Sequence, residues 1–129
     1  MNPAIEIEKV SYFYRDHWSW RKIPGLQDLS LTVYEGEAFG FLGPNGAGKT
    51  TTIKCLLDLS RPAAGKIRLG GIDSRNLNSR RRVGYVPEQP YFYDHLTVVE
   101  TLSMYAALAG MPRREIKPAV QQMLAKIKL

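Results

Sequence analysis

An α/β fold is predicted by the sequence, and three observations lead to it. Short apolar runs of strand length alternate with segments of helical periodicity along the chain of 129 residues. A glycine-rich loop stands between an apolar run and a helical face, which is the order strand, loop, helix. With 44% hydrophobic and 23% charged residues, the composition is that of a globular protein with a real core. We therefore expect one domain without internal repeats.

The first third of the chain predicts two strands. Apolar residues alternate with polar ones over 5–12, with a slip in the alternation between Ile7 and Val10. Residues 15–25 contain tryptophan, proline and glycine and are predicted to form a loop. The alternation resumes at 29–33, which predicts a half-buried strand followed by a turn at Glu35 and Gly36.

The glycine-rich loop is framed by a predicted strand and a predicted helix. Residues 37–42 form a mostly apolar run, as a central parallel strand requires. A helix is expected to begin at about Gly48, and Ile53, Leu56 and Leu57 share one of its faces. Proline cannot continue a helix, so the segment 61–65 is expected to end it.

The rest of the chain predicts two short strands and two helices. Strands are expected at 66–69, before a tight turn at Gly70-Gly71, and again at 83–86. Thr97 and Glu100 fit a capping box, which predicts a helix that Gly110 and Pro112 close. A last helix is expected to start near Pro118, since proline is tolerated in a first turn.

Residues 43–50 read Gly-Pro-Asn-Gly-Ala-Gly-Lys-Thr and fit the pattern G-x-x-x-x-G-K-[ST] of a phosphate-binding loop. Glycines let the backbone curl around an anion, and the helix start adds free N–H groups and a positive dipole end. Lys49 is predicted to contact the β- and γ-phosphates, and the Thr50 hydroxyl is predicted to bind Mg²⁺. The alternative is a glycine-rich turn that binds nothing.

Composition excludes several other classes of protein. No apolar run approaches the roughly 20 residues of a membrane span, and the N-terminus lacks the features of a signal peptide, which favours the cytoplasm. The single cysteine, Cys55, is expected to pack rather than to react. The net charge is +6, and its densest run, Arg80-Arg81-Arg82, is either a solvated loop or a surface for a membrane partner or acidic lipids.

The chain resembles the nucleotide-binding domain of ATP-binding-cassette (ABC) proteins over nearly its whole length. The loop and the Thr51 that follows it have the sequence that is typical of that family. Residues 6–14 resemble the family's opening strand and aromatic loop. Tyr14 stands where the family places the aromatic residue that stacks on adenine, and aromatic rings cover any base. Trp18 and Trp20 are the alternatives for that role. The resemblance implies ATP binding by Tyr14, Gly43, Pro44, Asn45, Gly46, Ala47, Gly48, Lys49, Thr50 and Thr51.

Residues 83–100 resemble the segment that contains the family's Q-loop. The position usually held by glutamine is Glu88 here, and Gln89 follows it, so either side chain is a candidate ligand of Mg²⁺. Residues 88–93 are most similar to the ATPase subunits of ABC-2 type, multidrug-like exporters. The aromatic run Tyr91-Phe92-Tyr93 is expected either to line a groove for a transmembrane subunit or to pack. His95 is expected to be a hydrogen-bonding loop residue.

The resemblance implies a P-loop NTPase fold of ABC ATPase type, with a mixed sheet and an antiparallel β subdomain. The family's signature sequence, its Walker B strand and its switch histidine do not occur in the chain. Residues 1–129 are therefore expected to be the N-terminal portion of one ABC nucleotide-binding domain, inactive alone because the water-positioning and second metal-binding carboxylates are missing.

The function implied for the full-length protein is ATP hydrolysis that moves a substrate through a separate membrane subunit. A dimer of nucleotide-binding domains, peripheral on the inner face of the cell membrane, is implied with it. Two alternatives remain open: a soluble ABC ATPase that acts on nucleic acid or the ribosome, and a module that senses nucleotide without hydrolysis. Nucleic acid is not expected as a partner under the first hypothesis.

Overall fold

The computed structural model describes residues 1–16 and 20–127 and divides into two compact units, Met1–Gly84 and Tyr85–Leu129. Among these residues, the first unit contains a four-stranded sheet, one α-helix and one short 3-10 helix, and the second contains two α-helices. The predicted α/β class is confirmed. Trp18 lies outside the described residues.

The sheet of the first unit is antiparallel throughout. Its strands are β1 (Pro3–Arg15), β2 (Lys22–Tyr34), β3 (Ala64–Leu69) and β4 (Ile72–Asp73), in the order β2-β1-β3-β4. The loop expected over 15–25 is shorter than predicted, because Pro24 pairs with Phe13 inside β2. A proline is tolerated there because β2 is an edge strand of this sheet, with a paired strand on one side only.

A bulge in β1 explains the slip in its hydrophobic alternation. Ile7 and Val10 are three residues apart, so a regular strand would point them to opposite faces. The register shifts between them, and Lys9 takes a left-handed conformation with φ of 47°. Both side chains therefore face the core, where they are 2% and 1% exposed. The predicted slip is confirmed, and the bulge is its physical cause.

The core of the first unit lies between the sheet and helix α1 (Lys49–Leu56). It is formed by Ile7, Val10, Leu26, Cys55 and Ile67. Burial raises the pKa of the Cys55 thiol, so the thiol stays protonated and acts as an apolar packing group, as expected.

Helix α1 begins where it was predicted and ends earlier than it was predicted. Its last residue is Leu56 and not a residue near 61–65. Asp58 has φ of 56°, and the Lys54 carbonyl accepts hydrogen bonds from the N–H groups of Leu59 and Ser60. A helix commonly ends at a residue in the left-handed conformation, where the last carbonyl groups accept hydrogen bonds from N–H groups beyond the helix. Here that residue precedes Pro62, so the helix has already ended when the chain reaches the proline.

Two predicted strands do not form among the described residues. The parallel part of the predicted mixed sheet therefore does not form there either. Residues 37–42 and 83–86 join no sheet in the described parts of the chain. Leu42 is 93% exposed and Val86 is 83% exposed, although both runs are apolar. A strand needs a neighbour that takes up its backbone hydrogen bonds, and neither run forms such a pairing among the described residues.

The second unit contains helices α2 (Val98–Leu108) and α3 (Arg113–Ile127). The capping box is confirmed: the Thr97 N–H donates to Glu100 Oε2 over 2.8 Å, and the Glu100 N–H donates to Thr97 Oγ1 over 3.3 Å. The hydrogen bonds that the Thr97 N–H and the Thr97 hydroxyl donate to the Glu100 carboxylate lower the pKa of that carboxyl. In the described residues, no helix combines the length and apolar character that crossing a membrane requires.

The predicted start of the last helix is wrong. Helix α3 begins at Arg113, so Pro118 lies inside it and not in its first turn. The Pro112 carbonyl accepts a hydrogen bond from the Glu115 N–H over 2.8 Å, which starts the helix directly after the proline that closes α2. Pro118 costs this helix one backbone hydrogen bond.

Candidate nucleotide-binding site

The glycine-rich loop takes a conformation that glycine alone adopts freely. Gly46 and Gly48 have φ of 86° and 85°, in the left-handed region. Gly48 also lies against β2, where an added Cβ would be 2.8 Å from the Gly25 carbonyl oxygen. Between the two glycines, the Ala47 N–H donates to the Pro44 carbonyl over 3.2 Å. The loop therefore closes tightly in front of α1.

The first turn of α1 offers unpaired donors to a ligand. Gly48 is the N-cap and supplies no side-chain cap, and the first intrahelical bond runs from the Thr52 N–H to the Gly48 carbonyl. The N–H groups of Lys49, Thr50 and Thr51 precede that bond and are the donors that a helix start leaves open. Such a group of N–H donors at the positive end of a helix dipole suits a phosphate.

Lys49 brings a positive charge to the same loop. Its ammonium group donates to the carbonyl oxygens of Gly43 and Pro44, over 2.5 and 2.8 Å. The Lys49 side chain thus folds back from the start of α1 over the glycine-rich loop that precedes this helix. An anion held by the loop would lie beside this charge.

Three consecutive threonines of α1 have different surroundings. Thr50 is exposed, as a metal ligand facing a bound phosphate would be. Thr51 and Thr52 are buried: the Thr51 hydroxyl is 2.5 Å from the Tyr14 hydroxyl, and the Thr52 hydroxyl donates to the Gly48 carbonyl over 2.9 Å. The described residues contain no group of three or more His, Cys, Asp or Glu side chains suited to a metal ion. One hydroxyl fits Mg²⁺ that is otherwise held by phosphates and water.

Tyr14 lies at the end of β1 and reaches the phosphate-loop helix. Its ring passes over Gly25, where a Cβ would be 2.7 Å from Tyr14 Cε2. The ring meets Tyr12 edge-on, with centroids 5.0 Å apart and planes at 82°. It remains 42% exposed, so part of its surface is open to a base. Trp20, the described alternative, is 78% exposed.

Glu88 and Gln89 belong to the second unit, where both are exposed. Which of them contacts a metal stays a prediction. The aromatic residues that follow are also exposed within that unit, with Tyr91 at 90%. His95 packs its ring against Tyr93 with centroids 5.7 Å apart. The aromatic run is therefore at the surface of the unit and not in its interior.

The basic run is less uniform than its sequence indicates. Arg80 donates to the Ser74 carbonyl and lies 3.7 Å from Asp58 Oδ2, with 22% of its side chain exposed. It ties the end of a short 3-10 helix (Leu77–Arg80) to the segment after α1. Arg81 and Arg82 are exposed. Sequence reasoning missed the role of Arg80, because its partner lies 22 positions earlier and no local pattern marks the pair.

The sequence also matches known proteins. The model of the ABC transporter family matches residues 26–129. An uncharacterized ABC transporter ATP-binding protein of Nostoc is 44% identical over 107 residues, 83% of this chain and 32% of that protein. The Nod factor export ATP-binding protein I of Burkholderia thailandensis is 45% identical over 106 residues, 81% of this chain and 35% of that protein. The chain thus spans about a third of the length of these two relatives.

Solved structures show the same likeness. An ATP-binding subunit of an ABC transporter superposes with a TM-score of 0.74 at 30% identity, over 98% of this chain and 51% of that chain. A dimeric ATP-binding cassette in a post-hydrolysis state, bound to ADP and Pi, gives a TM-score of 0.77 at 21% identity over 97% of this chain and 57% of that chain, a likeness of fold. The resemblance to ABC ATPases is confirmed, while the ABC-2 subfamily stays a prediction.

Proposed function

The chain belongs to the ABC transporter family, and on that premise we propose that residues 1–129 are the N-terminal portion of one nucleotide-binding domain that binds ATP. The observation that carries the proposal is the arrangement at the start of α1. A tight glycine loop, the open N–H donors of a helix start and the Lys49 ammonium occupy one short segment. Each of these three features suits a chain of phosphates, and together they suit a nucleoside triphosphate.

The residues have separate roles in the proposed site. The N–H groups of residues 49–51 hold the phosphate oxygens, and Lys49 exchanges its two carbonyl partners for the β- and γ-phosphates. Thr50 is the proposed ligand of Mg²⁺, which when bound neutralises charge on the phosphates. Tyr14 is the proposed platform for the base, and Glu88 or Gln89 is the proposed second contact to the metal.

For the protein that carries this chain, we propose ATP hydrolysis coupled to transport. Relatives named as export ATP-binding proteins support it, as does a similar fold solved as a dimer with hydrolysis products. The proposed assembly is a dimer of nucleotide-binding domains beneath a transmembrane permease subunit, at the inner face of the cell membrane. The exposed aromatic run at 91–93 is a proposed contact to that subunit.

The proposal is tested first at Lys49. In the protein expressed from its complete reading frame, Lys49→Ala removes a charge-assisted contact worth roughly 1.5–3 kcal/mol. We expect the affinity for ATP to fall by about tenfold or more, measured by calorimetric titration with Mg·ATP. Lys54→Ala is the matched control, since it removes an exposed lysine of the same helix without touching the loop. Equal ATP affinity in Lys49→Ala and the parent would disprove the site.

A further inference from the structure

The contact between Tyr14 and Thr51 joins two parts of the proposed site that lie 37 positions apart in the sequence. Tyr14 is the last aromatic residue of β1, and Thr51 is in the first turn of α1, directly after the proposed metal ligand. Their hydroxyl oxygens are 2.5 Å apart, a short hydrogen bond in which either group can donate. The bond therefore connects the base platform to the helix that holds the phosphates.

Three supports hold the Tyr14 ring, and they act at different places. Gly25 leaves room under the ring, Tyr12 meets it edge-on, and Thr51 holds the hydroxyl at its far end. Thr51 is 6% exposed and its bond to Tyr14 is part-buried, while Tyr14 as a whole stays 42% exposed. Tyr14→Phe removes the hydrogen bond and keeps the ring together with the other two supports.

We propose that the Tyr14 hydroxyl is a positioning group for nucleotide binding. Its hydrogen bond to Thr51 holds the ring at a set distance from the phosphate loop, so that one nucleotide meets the platform and the loop together. A ring that is already held loses less freedom when a base stacks on it, and the base binds more tightly for that reason. This inference rests on the proposed function, in which Tyr14 stacks on the base.

The test separates the hydroxyl from the ring and the base from the phosphates. Tyr14→Phe keeps the ring and removes the hydrogen bond, and ATP, GTP and inorganic tripolyphosphate are titrated with Mg²⁺ into the protein from its complete reading frame. A hydrogen bond of typical strength corresponds to a loss of about 2- to 10-fold in affinity. We expect that loss for ATP and GTP alike and no loss for tripolyphosphate, which has no base to place.

Tyr34→Phe is the matched control on the neighbouring strand β2. The Tyr34 side chain forms no hydrogen bond within the described parts of the chain and is none of the three supports, so the affinity for ATP is expected to stay at the parent value. Thr51→Val removes the other end of the bond. In that background, Tyr14→Phe is expected to cause no further loss, because the interaction is already gone.

The outcomes distinguish this inference from the function on which it rests. Unchanged ATP affinity in Tyr14→Phe overturns the positioning role. An equal loss of affinity for ATP and tripolyphosphate also overturns it, as does an undiminished further loss of ATP affinity when Tyr14→Phe is added to Thr51→Val. Lys49→Ala is titrated in parallel with ATP and tripolyphosphate. If it weakens both while Tyr14→Phe weakens neither, the site stands and the positioning role fails. If Lys49→Ala weakens neither, the proposed function itself fails.

Discussion

At the scale of single residues, three neighbouring threonines of α1 show how position on a helix determines which contacts a side chain makes. Successive residues of a helix are rotated by about 100°, so Thr50, Thr51 and Thr52 face three directions. Thr50 is exposed, Thr51 meets Tyr14, and Thr52 bonds back to the Gly48 carbonyl. Their identical side chains therefore have different surroundings, since Thr50 is open while Thr51 and Thr52 are buried against different partners.

Tyr14 gives the residue-scale prediction. Replacing it by alanine removes the ring that is proposed to stack on the base, and stacking on an aromatic contributes about 1–3 kcal/mol per base. Tyr14→Ala should weaken ATP and GTP binding alike, by about fivefold or more, because stacking scarcely discriminates between purines. Titration with both nucleotides measures it.

Trp20→Ala is the comparison for that experiment, since Trp20 is the described alternative and is 78% exposed. It should leave both affinities unchanged. If Trp20→Ala weakens binding and Tyr14→Ala does not, the aromatic platform has been assigned to the wrong residue.

At the scale of elements, the bulge in β1 determines how the neighbouring strands approach. Lys9 and Asp28 both take left-handed conformations, with φ of 47° and 49°. Each backbone N–H at these two positions donates to a serine hydroxyl across the strand pair, Ser30 and Ser11 respectively, over 3.0 Å. The distorted backbone on both strands is therefore hydrogen-bonded, and it keeps the apolar side chains of β1 on the core face.

Gly65 gives the element-scale prediction, because β3 passes the bulge at this residue. A Cβ on Gly65 would overlap the carbonyl oxygens of Glu8 and Lys9, and its φ of 89° is unfavourable for other residues. Gly71, in the turn after β3, has φ of 76° with open space around it. We expect Gly71→Ala to cost about 1–2 kcal/mol from the backbone alone. Gly65→Ala should cost at least about 1 kcal/mol more, since strands β1 and β3 must separate.

Denaturant unfolding of both variants measures that difference in the free energy of unfolding. Gly71→Ala serves as the control for the left-handed conformation, so any excess loss in Gly65→Ala reports the close approach of the two strands. Equal losses in the two variants would show that β3 does not pack against the bulge as described.

At the scale of the whole molecule, the chain belongs to the ABC transporter family and spans about a third of the length of two of its relatives. Phosphoryl transfer depends on positioning and on charge stabilisation around the phosphates. Residues 43–51 provide the phosphate cradle proposed here. Among the described residues there is no group of three or more His, Cys, Asp or Glu side chains suited to a metal ion.

Turnover gives the prediction at this scale. Residues 1–129 expressed alone should release almost no phosphate from Mg·ATP, because the cradle positions a nucleotide but does not position water. The protein from the complete reading frame should hydrolyse ATP, and Lys49→Ala should abolish that activity. A colorimetric phosphate assay compares the parent and Lys49→Ala forms of residues 1–129 and of the protein from the complete reading frame. Comparable turnover by residues 1–129, abolished by Lys49→Ala, would identify a complete enzyme of another P-loop type.

Local signals in the sequence determined the features whose partners are near neighbours along the chain. Three such features are the conformation of the glycine-rich loop, the start of α1 directly after Gly48 and the capping box of α2. Each depends on residues only a few positions apart in the sequence. The slip in β1 could also be predicted, because a break in alternation must be absorbed by a bulge if both apolar residues are to stay buried. These are parts of the fold that short-range sterics and hydrogen bonds decide.

Only the tertiary structure decided the features whose partners lie far away in the sequence. The apolar runs at 37–42 and 83–86 read as strands, but a strand forms only where another backbone accepts its hydrogen bonds. The bond between Tyr14 and Thr51 and the pairing of Arg80 with Asp58 have no local pattern at all. Each depends on how β1, α1 and the segments after them pack. The sequence around a hydroxyl or a charged group does not indicate which distant residue the packing will place beside it.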